Sequence, residues 1–167
     1  VGGDRRRRLG YSSLNTGRTV TEKIAPPRWL KPFNAVVLVA RRVGLGWTRE
    51  LPVLVLPGRR TGKLRRTPVS VLDLDGHRYL VAGFPGADWA ANARAAGVGI
   101  LAVGRRNERV RLVELAPADA EPVLRAWPVR IPQGAKIMRD GGVVPDLEPD
   151  TFAALAGRCA VFRIESV

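Results

Sequence analysis

A short cationic segment between two apolar stretches carries the strongest chemical signal in the sequence. It runs Gly58-Arg59-Arg60-Thr61-Gly62-Lys63-Leu64-Arg65-Arg66-Thr67-Pro68 and holds five cations within eight residues. Glycine permits a tight turn that exposes backbone amides, and arginine and lysine bind phosphate through charge-assisted hydrogen bonds. We therefore predict a phosphate-binding loop. A solvated basic hairpin turn is the alternative, because it has the same composition.

Two common nucleotide-binding motifs do not match this segment. Three residues, rather than the four of a Walker loop, separate Gly58 from Gly62, and Leu64 stands where that loop has a hydroxyl residue. A strand rather than a helix is predicted to follow. A dinucleotide fingerprint is also missing, because Gly44-Leu45-Gly46 continues to Arg49 where a third glycine is required.

Cysteine and histidine offer little catalytic chemistry. Cys159 is the sole cysteine, which excludes an internal disulfide framework and a multi-cysteine metal site. His77 is the sole histidine and follows Asp75-Gly76, a pair typical of hairpin turns, so we interpret it as a solvated turn residue. We predict no metal site, and the sequence assigns no catalytic residue.

The apolar patterns predict the elements that position the loop. Strands are predicted at 51–56, 67–74, 78–84, 98–103, 108–115 and 160–165, and the second and third form a hairpin at Asp75-Gly76. Helices are predicted at 30–43, 87–96 and 117–127, with a last turn or two at 151–157 and an irregular segment at 128–149. This order does not alternate strand and helix, so we expect an α+β fold: an antiparallel barrel of about six strands with flanking helices.

Composition and charge limit the number of domains and the classes of partner that can be expected. The chain has 167 residues, of which 46% are hydrophobic, so one domain with a buried core is expected. A formal net charge of +13 predicts an anionic ligand or partner, although an arginine-rich composition contributes to the excess. We predict a basic, disordered arm at 1–28, containing Arg5-Arg6-Arg7-Arg8, and a single domain at 29–167. Neither a membrane-spanning segment nor a cleavable signal is expected, which favours a cytoplasmic location.

Residues 29–127 resemble the deazaflavin-dependent nitroreductase family. The resemblance rests on the Gly58–Pro68 motif, the hairpin after it, an apolar strand that enters a glycine-containing loop, Asp88-Trp89 with Asn92 on a short helix, and a second hairpin. It implies a split β-barrel fold and the use of the reduced deazaflavin coenzyme F-420. FMN is the less favoured cofactor, because a phosphodiester with a polyglutamate tail suits a cationic loop better.

The resemblance also assigns roles to individual residues. It places the cofactor phosphate on Arg59, Arg60, Lys63 and Arg65, in a loop shaped by Thr61, Gly62, Thr67 and Pro68. It lines the ring with Val81, Ala82, Gly83, Phe84 and the loop through Gly86, and closes one side with Asp88, Trp89 and Asn92. A core role for Trp89 and a helix-capping role for Asp88 are the alternatives.

Two departures from the family concern the proton donor. Gly83 stands where several quinone- and nitro-reducing members have a small polar residue. The tyrosine-bearing segment of those members has no counterpart, since the only tyrosines are Tyr11 and Tyr79. We therefore expect protonation from solvent, from a water held by the backbone or from the surroundings of the cofactor.

The expected function is transfer of hydride from reduced F-420 to a small electron-poor acceptor: a quinone, an enone, an activated alkene or a nitro compound. One alternative is an FMN-binding split-barrel protein, and haem is disfavoured because His77 has no axial-ligand context. Another is a nucleic-acid-binding module, suggested by the charge of +13; with 6% aromatic residues and no stacking motif, no nucleic-acid partner is expected. Both a monomer and a homodimer are compatible with the sequence.

The arginine run in the arm is expected to contact an anionic membrane peripherally, on the inner face of the cell membrane. Deletion of residues 1–28 should leave cofactor affinity within about twofold and lower retention on anionic vesicles, where each basic residue contributes about 1 kcal/mol. Vesicle sedimentation and cofactor titration measure the two effects. Loss of cofactor binding would show instead that the arm covers the site and brings Tyr11 into it.

Overall fold

A computed structural model describes residues 50–167. The predicted arm at 1–28 and the predicted helix at 30–43 lie outside the described residues. Within 50–167 an antiparallel sheet of seven strands is accompanied by four helices, which confirms the α+β class and a split-barrel architecture. In this part of the chain no helix has the length and apolar character needed to cross a membrane.

The strands and helices follow one another without long connections. The strands are β1 (Val53–Pro57), β2 (Leu64–Pro68), β3 (Val71–Leu74), β4 (His77–Val81), β5 (Val98–Val103), β6 (Arg106–Glu114) and β7 (Val161–Ser166). The helices are α1 (Asp88–Ala96), between β4 and β5, and α2 (Pro117–Arg130), α3 (Pro132–Asp140) and α4 (Pro149–Ala153), between β6 and β7.

The strand order requires the sheet to curl. β2 and β3 are the two edges in the order β2-β1-β5-β6-β7-β4-β3, yet only Val69 and Ser70 connect them. The linked strand ends can be at most about 11 Å apart. Seven flat strands would hold the edges about 29 Å apart at their usual spacing. The sheet therefore closes toward itself as an open barrel.

Each face of the sheet carries its own hydrophobic core. On one face the partners Leu54 and Leu101, and the partners Leu80 and Phe162, pack with α1. On the other face Leu72, Val81 and Val161 pack against the helices that follow β6, whose buried residues include Trp127, Met138 and Phe152. Alternation along the strands produces this division, because successive side chains point to opposite faces.

Two elements differ from the sequence prediction. The strand expected at 67–74 is two strands, because the chain leaves β1 after Pro68 and crosses to the opposite edge, where it begins again at Val71. The segment expected to be irregular at 128–149 contains α3, which has Pro132 in its first turn and buries Ala135 and Met138. Proline suits the first turn of a helix, where its missing N–H costs nothing.

An ion pair joins three adjacent strands on this sheet. Glu108 accepts hydrogen bonds from both terminal nitrogens of Arg78, at 2.8 and 2.6 Å, and one from Ser166 Oγ at 2.7 Å. These bonds, chiefly those from Arg78, lower the pKa of Glu108 to about 2. The charged form of Glu108 is therefore the form that stabilises the fold.

Glu108→Gln should lower stability and flatten its acid dependence. Because the folded pKa lies below the unfolded value of about 4.3, the contribution is fully present above about pH 5 and is lost as the pH falls toward 2. The pair is about a third exposed, so the expected loss at pH 7 is only about 0.5–1 kcal/mol. Urea denaturation at several pH values measures it against Glu148→Gln, a surface control. If the free energy of unfolding of Glu108→Gln fell as steeply with decreasing pH as that of the wild type, the assignment would be contradicted.

Candidate functional site

The cationic segment forms a closed turn between β1 and β2. Gly58 N–H donates to Lys63 O at 2.9 Å, and Gly58 O accepts from Thr61 N–H at 3.2 Å and from Gly62 N–H at 2.8 Å. Gly62 has φ +67°, which a residue with a side chain rarely adopts. These bonds fix the turn, so that Arg59, Arg60 and Lys63 extend from a defined backbone. We call residues 58–65 the cationic loop.

Polar groups of the cationic loop converge beside Gly58. A Cβ added at Gly58 would lie 3.5 Å from both Arg65 Nε and Thr61 Oγ1, and 3.2 Å from Lys63 O. Glycine avoids a tight contact with the Lys63 carbonyl here, and two groups that can donate hydrogen bonds, Arg65 Nε and Thr61 Oγ1, border the space beside Gly58. Such donors suit an anionic oxygen.

Helix α1 holds the cationic loop in place through Arg59. Asn92 Oδ1 accepts two hydrogen bonds from Arg59, one from its backbone N–H and one from its Nη1, both at 3.1 Å. Arg59 Nη2 also pairs with Asp88 Oδ1 at 3.3 Å, and Nη1 lies 3.4 Å from Asp88 O. Asn92 is 7% exposed and is the one buried polar residue in the described part of the chain. The structure thus uses Asp88 and Asn92 to position Arg59.

The sequence of α1 explains why this helix presents both residues to the cationic loop. Asp88 and Asn92 are four residues apart and share one side of the helix. Trp89 packs on Phe162 of the sheet, with ring centroids 5.6 Å apart, and Ala93 is fully buried. Gly97 ends the helix in a left-handed conformation, with its N–H bonded to Ala93 O. Trp89 therefore has the core contact that was its alternative role, and the N-cap position of the helix is Ala87 rather than Asp88.

Strand alternation separates the two arginines of β2. Arg65 pairs with Leu56, whose side chain belongs to the core beside α1, whereas Arg66 pairs with Val55 on the opposite face. Arg65 consequently extends on the side of the cationic loop and α1, and Arg66 does not. Thr67 and Pro68 are half-buried farther along β2.

Three cations of the loop keep their charge uncompensated. Within residues 50–167, Arg60, Lys63 and Arg65 have no ion-pair or side-chain hydrogen-bond partner, whereas Arg59 has Asp88. All three are exposed. The loop thus offers a net positive surface beside the space at Gly58.

The segment predicted to line a ring runs from β4 toward α1. Val81 and Phe84 are buried with Met138 in the core under α2 and α3, and Ala82 is buried with Ala90 on the other side. Gly83 is half-buried, and a Cβ added there would lie 3.1 Å from Met138 Cγ. Ala82 and Gly86 also line a cavity of about 290 Å³. Sequence reasoning missed Met138, although Pro132 followed by Ala135 and Met138 at helical spacing was a usable signal.

No protein-family model matches this chain, and the comparison with curated proteins likewise gives no match. Among solved structures, 11 chains match. One, described as a domain-swapped dimer, has a TM-score of 0.50 and 18% identity and covers 84% of this chain and 100% of its own. This likeness shows a shared fold.

Two further matches have lower structural similarity. An F-420-H2-dependent reductase has a TM-score of 0.47 and 19% identity, over 70% of this chain and 95% of that one. PhzG from Burkholderia lata 383, solved with tetrahydrophenazine-1-carboxylic acid, has a TM-score of 0.42 and 13% identity, over 84% of this chain and 78% of that one.

Removal of the Asn92 amide should release the cationic loop. Asn92→Ala leaves the Arg59 N–H without its acceptor, which should cost about 1–3 kcal/mol of stability and speed amide hydrogen exchange in residues 58–63. Urea denaturation and exchange mass spectrometry measure both effects. Asn107→Ala, at an exposed position near the start of β6, is the matched control. Unchanged exchange in the loop of Asn92→Ala would contradict the positioning role.

Proposed function

We propose that this protein is an oxidoreductase that binds reduced coenzyme F-420 and delivers hydride to a small electron-poor acceptor. One observation carries the proposal: the closed turn of the cationic loop presents Arg60, Lys63 and Arg65, which have no ion-pair partner among residues 50–167, and Arg65 Nε and Thr61 Oγ1 lie beside Gly58. Both groups can donate to an anionic oxygen, and the residues present are therefore compatible with the phosphate of the coenzyme. The resemblance stated from the Gly58–Pro68 motif supplies the identity of the coenzyme.

The charge of the cationic loop favours F-420 over FMN. Asp88 offsets Arg59, so Arg60, Lys63 and Arg65 remain for the ligand. A single phosphate group needs fewer cations than a phosphodiester followed by a polyglutamate tail. We assign Arg65, with the Thr61 hydroxyl, to the phosphate, and Arg60 and Lys63 to the tail. Arg59, Asp88 and Asn92 hold the loop.

The chemistry is divided between coenzyme and chain. Reduced F-420, when bound, supplies a hydride, and the reduced acceptor then takes a proton from solvent. The chain holds the phosphate, and the Val81–Phe84 segment with Trp89 sets the position of the ring. Tyr79 packs with the core on the opposite face from Leu56, so we give it no proton-transfer role. Residues 29–167 form the cofactor-binding domain in this proposal, and quinones, enones and activated alkenes are the acceptor classes to test.

Titration with F-420, FMN and NADPH, followed by fluorescence quenching, tests the coenzyme. F-420 should bind at micromolar or tighter affinity, with a dissociation constant that rises with salt because the contacts are ionic. Equal affinity for FMN, together with salt-independent binding of F-420, would contradict the proposal.

Arg65→Ala and Arg66→Ala form a matched pair for the site itself. Both changes remove one exposed arginine from adjacent positions of β2, but only Arg65 extends toward the cationic loop. Arg65→Ala should weaken F-420 binding about 10- to 100-fold, as expected for a charge-assisted contact, and Arg66→Ala less than about threefold. Lys63→Ala should behave like Arg65→Ala, with unchanged thermal unfolding in all three. If Arg65→Ala and Arg66→Ala weakened F-420 binding equally, the loss would come from net charge and not from a contact at the site.

A further inference from the structure

A cavity lies on the side of α1 that faces away from the cationic loop. It has a volume of about 290 Å³, and its lining includes Ala87, Ala90 and Arg94 of this helix region. Their spacing of three and four residues puts them on one side of the helix, turned away from Asp88 and Asn92. The cavity is therefore distinct from the space at Gly58.

Small side chains form part of the wall of this cavity, beside the charged groups of Arg94, Glu114 and Arg158. Ala82, Ala120, Ala160 and Leu115 contribute to the lining, and so does Cys159. Burial raises the pKa of the Cys159 thiol to about 12, so the thiol adds no negative charge at neutral pH. The space suits the body of a small apolar molecule.

The charges at the cavity sum to one uncompensated cation. Arg94 donates to both carboxylate oxygens of Glu114, at 2.6 Å each, so this pair offsets itself. Arg158 also lines the cavity, and among the described residues no side chain forms an ion pair with it. Its backbone is fixed by a turn in which Arg158 N–H donates to Leu155 O at 2.8 Å and Gly157 has φ +80°. The site therefore favours a ligand with a single negative charge.

We propose that this cavity binds a small organic monocarboxylate, whose carboxylate pairs with Arg158 and whose single ring or short chain lies among the alanines. A phosphate ester is a poorer fit. Its second negative charge would have no cation to pair with and would be repelled by Glu114. The site does not depend on the coenzyme, so the two proposals can fail separately.

Calorimetry with benzoate, cyclohexanecarboxylate and hexanoate tests this site. At least one acid should bind, and the matching neutral alcohol should bind at least about tenfold more weakly, since it cannot form the charge-assisted contact. Absence of binding by all three acids, or equal binding of acid and alcohol, would overturn the proposal.

Three variants locate the binding. Arg158→Gln and the cavity-filling Ala87→Leu should each weaken the acid at least about tenfold. Arg105→Gln, which removes an exposed arginine from the turn between β5 and β6, should not. Lys63→Ala should also leave acid binding unchanged, which separates this site from the cationic loop. Thermal unfolding checks that each variant is folded, and full acid affinity in a folded Arg158→Gln variant would overturn the assignment.

Discussion

The candidate site depends on one side-chain oxygen. Asn92 Oδ1 accepts hydrogen bonds from both the backbone N–H and the guanidinium of Arg59. These bonds hold the cationic loop against α1, although the two residues are 33 positions apart in the sequence. A buried acceptor is costly to leave unpaired, so the loop and the helix hold each other. The helix in turn rests on the sheet through Trp89 and Phe162. The position of Arg59 relative to the barrel follows from that chain of contacts, and the pairing of β2 with β1 places Arg65.

Strand alternation then selects the cations that can act together. Arg65 and Arg66 are adjacent in sequence but lie on opposite faces of β2. Asp88 offsets Arg59, while Arg60, Lys63 and Arg65 have no ion-pair partner among residues 50–167. A segment with five cations thus presents three of them from one closed turn, in which Arg65 Nε and Thr61 Oγ1 lie beside Gly58.

Much of the fold could be predicted because its signals are local. Asp75-Gly76 predicted a hairpin, and both residues adopt positive φ, at 50° and 76°. The limits of α1 could be predicted from its alanines and Gly97. The break after Pro68 could not, since its cause is the curl of the whole sheet. The helix at Pro132–Asp140 was missed because the prolines on either side were interpreted as marks of an irregular segment, although proline also begins helices.

The site could be predicted only in part for the same reason. Composition alone identified the cationic loop, but nothing near Arg59 in the sequence indicates that its partners are Asp88 and Asn92. Those residues were assigned to the ring through the family resemblance, which gave no sign of their contacts with Arg59. The contacts that organise the site are long-range, so they appear only once the sheet and α1 are assembled.

A thermodynamic cycle on the ligand tests the central claim most directly. The dissociation constant of F-420 would be compared with that of the same deazaflavin ring and ribityl chain without phosphate and tail, in the wild type and in the Lys63→Ala/Arg65→Ala double variant. If the loop binds the anionic part, loss of that part should weaken binding about 100-fold or more in the wild type and about tenfold or less in the variant. The same loss in both proteins would show that the cationic loop does not hold the phosphate.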